Sequence, residues 1–123
     1  MKLTMRPLVL AAVATAALAL AACSSGGGDS ESVVGTWGDT DAQGQPSLVF
    51  EKGGSYAGTD GCNNVGGDWT AEGSTIDLGN MFSTLMFCEG VDTWLVEATS
   101  AELSGDTLTF HDRDGAEIGT LER

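Results

Sequence analysis

Eighteen glycines interrupt a chain of 123 residues. A glycine inside a helix costs about 1 kcal/mol relative to alanine. In a turn or a bulge its freedom to take positive φ is useful. A chain cut this often is expected to build short strands and tight turns, not long helices. The intervening runs agree. Ser47–Glu51 puts Leu48 and Phe50 on one face, Lys52-Gly53-Gly54 turns the chain, and Ser55–Thr59 returns. Asp68–Ala71, a Glu72-Gly73 turn and Ser74–Leu78 form the next pair, with Ile76 and Leu78 inward. Asp106–His111 alternates cleanly into an Asp112–Gly115 hairpin turn, with glycine where positive φ is wanted. The last strand, Ala116–Glu122, slips its apolar spacing between Ile118 and Leu121, which predicts a bulge at Gly119. One segment reads differently. Val91, Trp94, Leu95 and Ala98 fall on one face of a helix, and Asp92 near its start suits the dipole. The expected class is mainly β, of α+β type: a small antiparallel sheet with one helix, Val91–Ser100, packed on it.

The N-terminus sets the compartment. Lys2 and Arg6 precede an uncharged Ala/Leu-rich run, Leu8–Ala22. That run is shorter than the roughly 20 residues a bilayer span needs, and has the length and flanks of a secretory core. It leads directly into Leu20-Ala21-Ala22-Cys23, which resembles the lipobox of bacterial lipoproteins. The resemblance implies that residues 1–22 are a signal peptide, that cleavage falls before Cys23, and that its sulfur is lipidated. Several acyl chains on one residue anchor stably where one chain gives only marginal binding. Ser24–Ser32 carries no apolar residue and reads as a flexible tether, reaching roughly 15–18 Å. Residues 33–123 are then one small domain at the membrane surface.

Cleavage would leave a mature chain of 101 residues, with three basic side chains against eighteen acidic ones, a net charge of −15. Such a surface excludes nucleic acid as a partner, because phosphate binding rests on Lys and Arg. It also disfavours docking on anionic lipid beyond the anchor.

With Cys23 lipidated, two cysteines remain. In an oxidising compartment an even remainder reads as a bridge, here Cys62–Cys88. It would close a loop of about 26 residues and stabilise by roughly 3–4 kcal/mol. The competing readings are a free buried pair, a metal site and a nucleophile. A metal would want further Cys or His at ligand spacing, and the single histidine, His111, lies in another hairpin. A catalytic thiol would want a histidine partner. No catalytic residue, metal or cofactor is expected. Asp39–Gly44 opens like a calcium loop, but Phe50 stands where the pattern asks for glutamate, so a turn is expected there and at Asp112–Gly115. Asn63 and Asn64 read as turn residues. Trp37, Tyr56, Trp69, Trp94 and Phe110 read as core. Thr84–Cys88 reads as a strand apolar on both faces. Such a strand either has both faces covered or leaves one for a ligand or partner. The first reading buries Leu85, Met86 and Phe87; the second makes Leu85 and Phe87, with Trp94, a binding surface.

Three signatures occur in order: Gly35-Thr36-Trp37, then Gly61-Cys62-Asn63-Asn64 with Gly66-Gly67-Asp68-Trp69, then Thr84-Leu85-Met86-Phe87-Cys88. Ala101–Phe110 supplies a short strand, a glycine and a Leu-x-Phe strand. Together these resemble the META domain, the HslJ-like family of bacterial envelope proteins, over residues 33 to 123. Gly61, Cys62, Asn63, Asn64, Thr84, Met86 and Cys88 carry the motif. The resemblance implies a mostly antiparallel, partly closed, barrel-like β-domain with one or two helices. It implies a non-catalytic role in envelope maintenance or stress tolerance, through binding an envelope protein or an apolar ligand. The alternative it suggests is a secretion pilot or acyl-chain carrier. Leu85 and Phe87 depart from the family, where basic or small residues often stand.

Overall fold

The computed structural model describes residues 33–123. The expected signal peptide, Cys23 and the tether lie outside the described residues. Ten strands form two five-stranded antiparallel sheets. The first is ordered β1-β2-β3-β4-β7, from Gly35–Gly38, Ser47–Phe50, Ser55–Thr59, Asn64–Asp68 and Phe82–Ser83. The second is ordered β10-β9-β8-β6-β5, from Glu117–Glu122, Thr107–His111, Ser100–Ser104, Thr75–Asp77 and Thr70–Glu72.

The core lies between the sheets. Trp37, Leu48, Phe50, Tyr56 and Val65 come from the first sheet, and Ile76, Ala101, Leu108, Phe110 and Leu121 from the second. Leu48 and Phe50 in β2, and Leu108 and Phe110 in β9, recur at the period of two that turns alternate side chains inward. The corner between the sheets is one residue, Trp69. The chain leaves β4 at Asp68 and enters β5 at Thr70. Trp69 is fixed there by its amide on the Gly54 carbonyl (2.8 Å), its indole N–H on the Glu51 carbonyl (3.0 Å) and its ring edge on Phe50. At the opposite corner Arg123 stacks on Trp37, 4.2 Å from the ring centre, and donates to the Val34 carbonyl.

Two glycines in β4 have steric reasons. A Cβ on Gly66 would lie 2.7 Å from the Phe82 ring, and one on Gly67 would lie 2.8 Å from the Tyr56 hydroxyl. The strand makes room for an aromatic ring on each face.

Several sequence expectations need correction. The sheets do not close into a barrel. Their ladders are separate: β1 and β10 lie side by side at one corner without forming a ladder. Asp68–Ala71 is divided at Trp69, because the chain changes sheets there. The helix expected over Val91–Ser100 is a single 3-10 turn, Trp94–Glu97. Gly90 takes φ 81°, just after the disulfide at Cys88, and Thr93 makes no side-chain cap. At the far end Thr99 donates to the His111 carbonyl and Ser100 already pairs in β8. A helix reaching Ser100 would forfeit those sheet bonds. Leu95 and Ala98 are still buried, so the apolar spacing serves a 3-10 turn as it would a helix. Finally, Thr84–Cys88 is not a ladder strand; β7 ends at Ser83. The expected bulge is present, with the register shifting between Glu117 and Gly119.

Candidate functional site

The β3–β4 connection is built around Asp60, which is fully buried. Its Oδ1 accepts the N–H groups of Cys62 (2.9 Å) and Asn63 (2.6 Å). Gly61 sits between at φ 102°, a conformation that side chains rarely adopt. This turn aims Cys62 at Cys88, and the two are bonded with their Cα atoms 5.8 Å apart. The disulfide reading of the pair therefore holds.

Asn63 is not simply a turn residue. It is buried, and its side chain reaches the 84–88 segment. Its Oδ1 accepts from the Thr84 hydroxyl (2.9 Å) and the Met86 N–H, while its Nδ2 donates to the Met86 carbonyl (3.3 Å). The amide thus does for Met86 what a neighbouring strand's backbone would do. Asn64, the first residue of β4, exchanges bonds with Thr84: its carbonyl accepts the Thr84 N–H at 3.0 Å, and its own N–H donates to the Thr84 hydroxyl at 3.1 Å. All seven motif residues, Gly61, Cys62, Asn63, Asn64, Thr84, Met86 and Cys88, meet in one interlock.

The interlock grips alternate residues. Thr84, Met86 and Cys88 are tied inward. Leu85 and Phe87, between them, are 96% and 89% exposed, and Met86 and Phe82 are more than half exposed. The reading that buried Leu85, Met86 and Phe87 is therefore overturned. The cause is the missing neighbour: no further strand of the described chain lies outside β7. The result is an apolar ridge, tied to a sheet edge by the disulfide and the Asn63 side chain. No charged residue lies between Leu78 and Cys88.

Trp94 is engaged elsewhere. It stands over Gly119, where an added Cβ would be 2.6 Å from the ring, and tilts against Phe110 with centroids 5.8 Å apart. It sits on the second sheet, half buried, so the structure does not join it to the ridge. With Gly38, Ala42, Pro46 and Leu121 it lines an open cleft of about 510 Å³.

The remaining polar candidates are occupied. Asp39 accepts the Asp41 N–H at 2.9 Å, and Asp112 accepts from Asp114 (2.9 Å) and Ala116 (3.0 Å), as turns do. Among the described residues no three His, Cys, Asp or Glu side chains converge as a metal site. Among the described residues Tyr56 is the group whose titration is clearly shifted. Burial first, then the charges of Asp68 and Asp77, push its phenol up to about 12. Its hydroxyl donates to the Leu78 carbonyl at 2.7 Å. Sequence reasoning missed Asp60 and Phe82. Asp60-Gly61 just before Cys62 is the turn signal that could have flagged the first. Nothing local distinguishes Phe82 from core.

The family model for the META domain matches residues 28–123. No curated protein matches the chain. No solved structure matches it.

Proposed function

The chain belongs to the META domain family, and from that premise we propose a non-catalytic binding domain carried on a lipid-anchored envelope protein. The single observation that supports binding is the ridge. Leu85 and Phe87 are held almost fully in water by a disulfide and a buried amide. A contiguous patch of exposed large apolar side chains marks an interaction surface. A loop with no partner would not need this scaffolding. The anchor reading rests on Leu20-Ala21-Ala22-Cys23 and the polar tail after it. In this reading the domain works at the outer face of a membrane, in envelope maintenance or stress tolerance, and its partner presents an apolar surface.

The test is recovery of bound protein from gently solubilised membranes with the full chain as bait. Leu85→Asp or Phe87→Asp should keep the fold and lose at least ten-fold in recovery. Unchanged recovery with both variants removes the reading. Cys23→Ser should move the protein out of the membrane fraction; retention there would remove the anchor.

An acyl-chain carrier is the alternative. The cleft beside Trp94 favours it, having Ala42, Pro46 and Leu121 in its lining. Saturable binding of a fluorescent fatty acid, lost in Trp94→Ala, would support it; no saturable binding would remove it.

A further inference from the structure

Among the described residues, few oxidisable side chains are open to solvent. Cys62 and Cys88 are bonded to each other, so neither offers the thiolate from which cysteine oxidation starts. Trp37, Tyr56 and Trp69 are buried. Met81 and Trp94 are partly buried and packed against the core. Met86 is different, with 58% of its surface exposed. Its main chain is held on both sides by one side chain: Asn63 accepts from the Met86 N–H and donates to its carbonyl at 3.3 Å. Both bonds engage the main chain, so the thioether can change chemically without loosening the interlock.

Resting on the binding reading above, we propose that Met86 is an oxidation site whose sulfoxide switches the apolar ridge off. The oxidant is a hydroperoxide. The lone pair of the Met86 sulfur takes the terminal oxygen as the O–O bond breaks. The proton on that oxygen passes to the other, which leaves as an alcohol, or as water from hydrogen peroxide. The sulfur gives up two electrons and the peroxide accepts them. Methionine sulfoxide is also the product that reductases reverse: two thiols become a disulfide, and the oxygen leaves as water. The change therefore acts as a switch and not only as damage. Its position gives it an effect. Met86 stands between Leu85 and Phe87, in a stretch from Leu78 to Cys88 that carries no charge. Oxidation turns a flexible apolar side chain into a polar one. One oxygen atom then puts a strong dipole into a patch whose attraction for a partner rests on being apolar. The scaffold beneath, which holds only the main chain of Met86, is unchanged. Met81 supplies the contrast inside the same molecule, because the core covers part of it.

The experiment exposes the full chain, purified in mild detergent, to hydrogen peroxide and locates the added oxygen by fragmentation mass spectrometry. Met86 should gain one oxygen about ten-fold faster than Met81. The urea midpoint and the far-ultraviolet spectrum should not change. The oxidised chain, freed of peroxide, then serves as bait for gently solubilised membranes. Its recovery of bound protein should fall about ten-fold against untreated bait, as a polar group in the patch requires. Met86→Leu has no sulfur, so peroxide should leave its recovery where it was before treatment. Met86→Gln, polar at similar length, should show the loss without peroxide. Equal rates at Met81 and Met86, or no oxygen on Met86, overturn the site. Undiminished recovery after Met86 is oxidised overturns the switch and leaves the binding reading standing, as does an equal loss in peroxide-treated Met86→Leu. If untreated bait recovers nothing, the binding reading falls and takes the switch with it.

Discussion

Asn63 has every side-chain polar atom engaged, which is why one buried amide can position a whole segment. Asn63→Ala would strand the Met86 amide and carbonyl at a partly buried site. We expect a loss of about 2–4 kcal/mol in urea unfolding. The Met86 amide should exchange faster in hydrogen exchange while the β8–β9 amides stay protected. Asn63→Asp keeps the acceptor oxygen and loses the donor, so it should fall between the two. Tyr56 gives a cleaner test, because it is the only tyrosine. Its phenol is raised from the ordinary value near 10 to about 12. A raised folded value means the contribution is fully present below about pH 10 and is lost as pH climbs through about 12. Absorbance near 295 nm should therefore titrate late. Wild-type stability should fall by about 2–3 kcal/mol between pH 10 and 12. Tyr56→Phe should lack that slope and start lower by about 1 kcal/mol, having lost the bond to Leu78. A phenol titrating near 10 would contradict the burial.

At the scale of elements, the informative pieces are those that changed state. The segment around Trp94 has a helix's apolar spacing and makes one 3-10 turn, because Cys88 and Ser100 are claimed at its ends by a disulfide and by β8. Its chief contact is Trp94 on the bulged strand β10, over a glycine. Gly119→Ala would drive a methyl into the indole, and we expect a cost of about 1–3 kcal/mol with an altered near-ultraviolet spectrum. An unaltered spectrum would mean that Trp94 does not rest on Gly119. The strand β2 sets a similar limit on β3. A Cβ on Gly58 would come 2.0 Å from the Ser47 carbonyl oxygen, so Gly58→Ala should loosen that pair and be among the most damaging glycine changes.

For the whole molecule, the Cys62–Cys88 bridge ties the β3–β4 turn to the segment after β7, across 26 positions of sequence. Reduction should lower the unfolding free energy by roughly 3 kcal/mol, read as a fall in the urea midpoint with the two-sheet core retained. No change would mean that the Asn63 interlock holds the ridge by itself. Much of this architecture was legible beforehand. Glycine spacing and the alternation in β2, β3, β6 and β9 determined a mainly β chain of short antiparallel strands, because period-two burial is a local property. The cysteine arithmetic pointed to the bridge, and the slipped spacing after Ile118 to the bulge. Three matters needed the tertiary structure: that the chain changes sheets at Trp69, that Trp94–Glu97 stops after one turn, and that Leu85 and Phe87 face water. Each depends on which neighbour occupies a face or claims a chain end. An apolar residue has the same composition and spacing whether a strand covers it or not, so only the missing strand beyond β7 could turn a core-like segment into a surface.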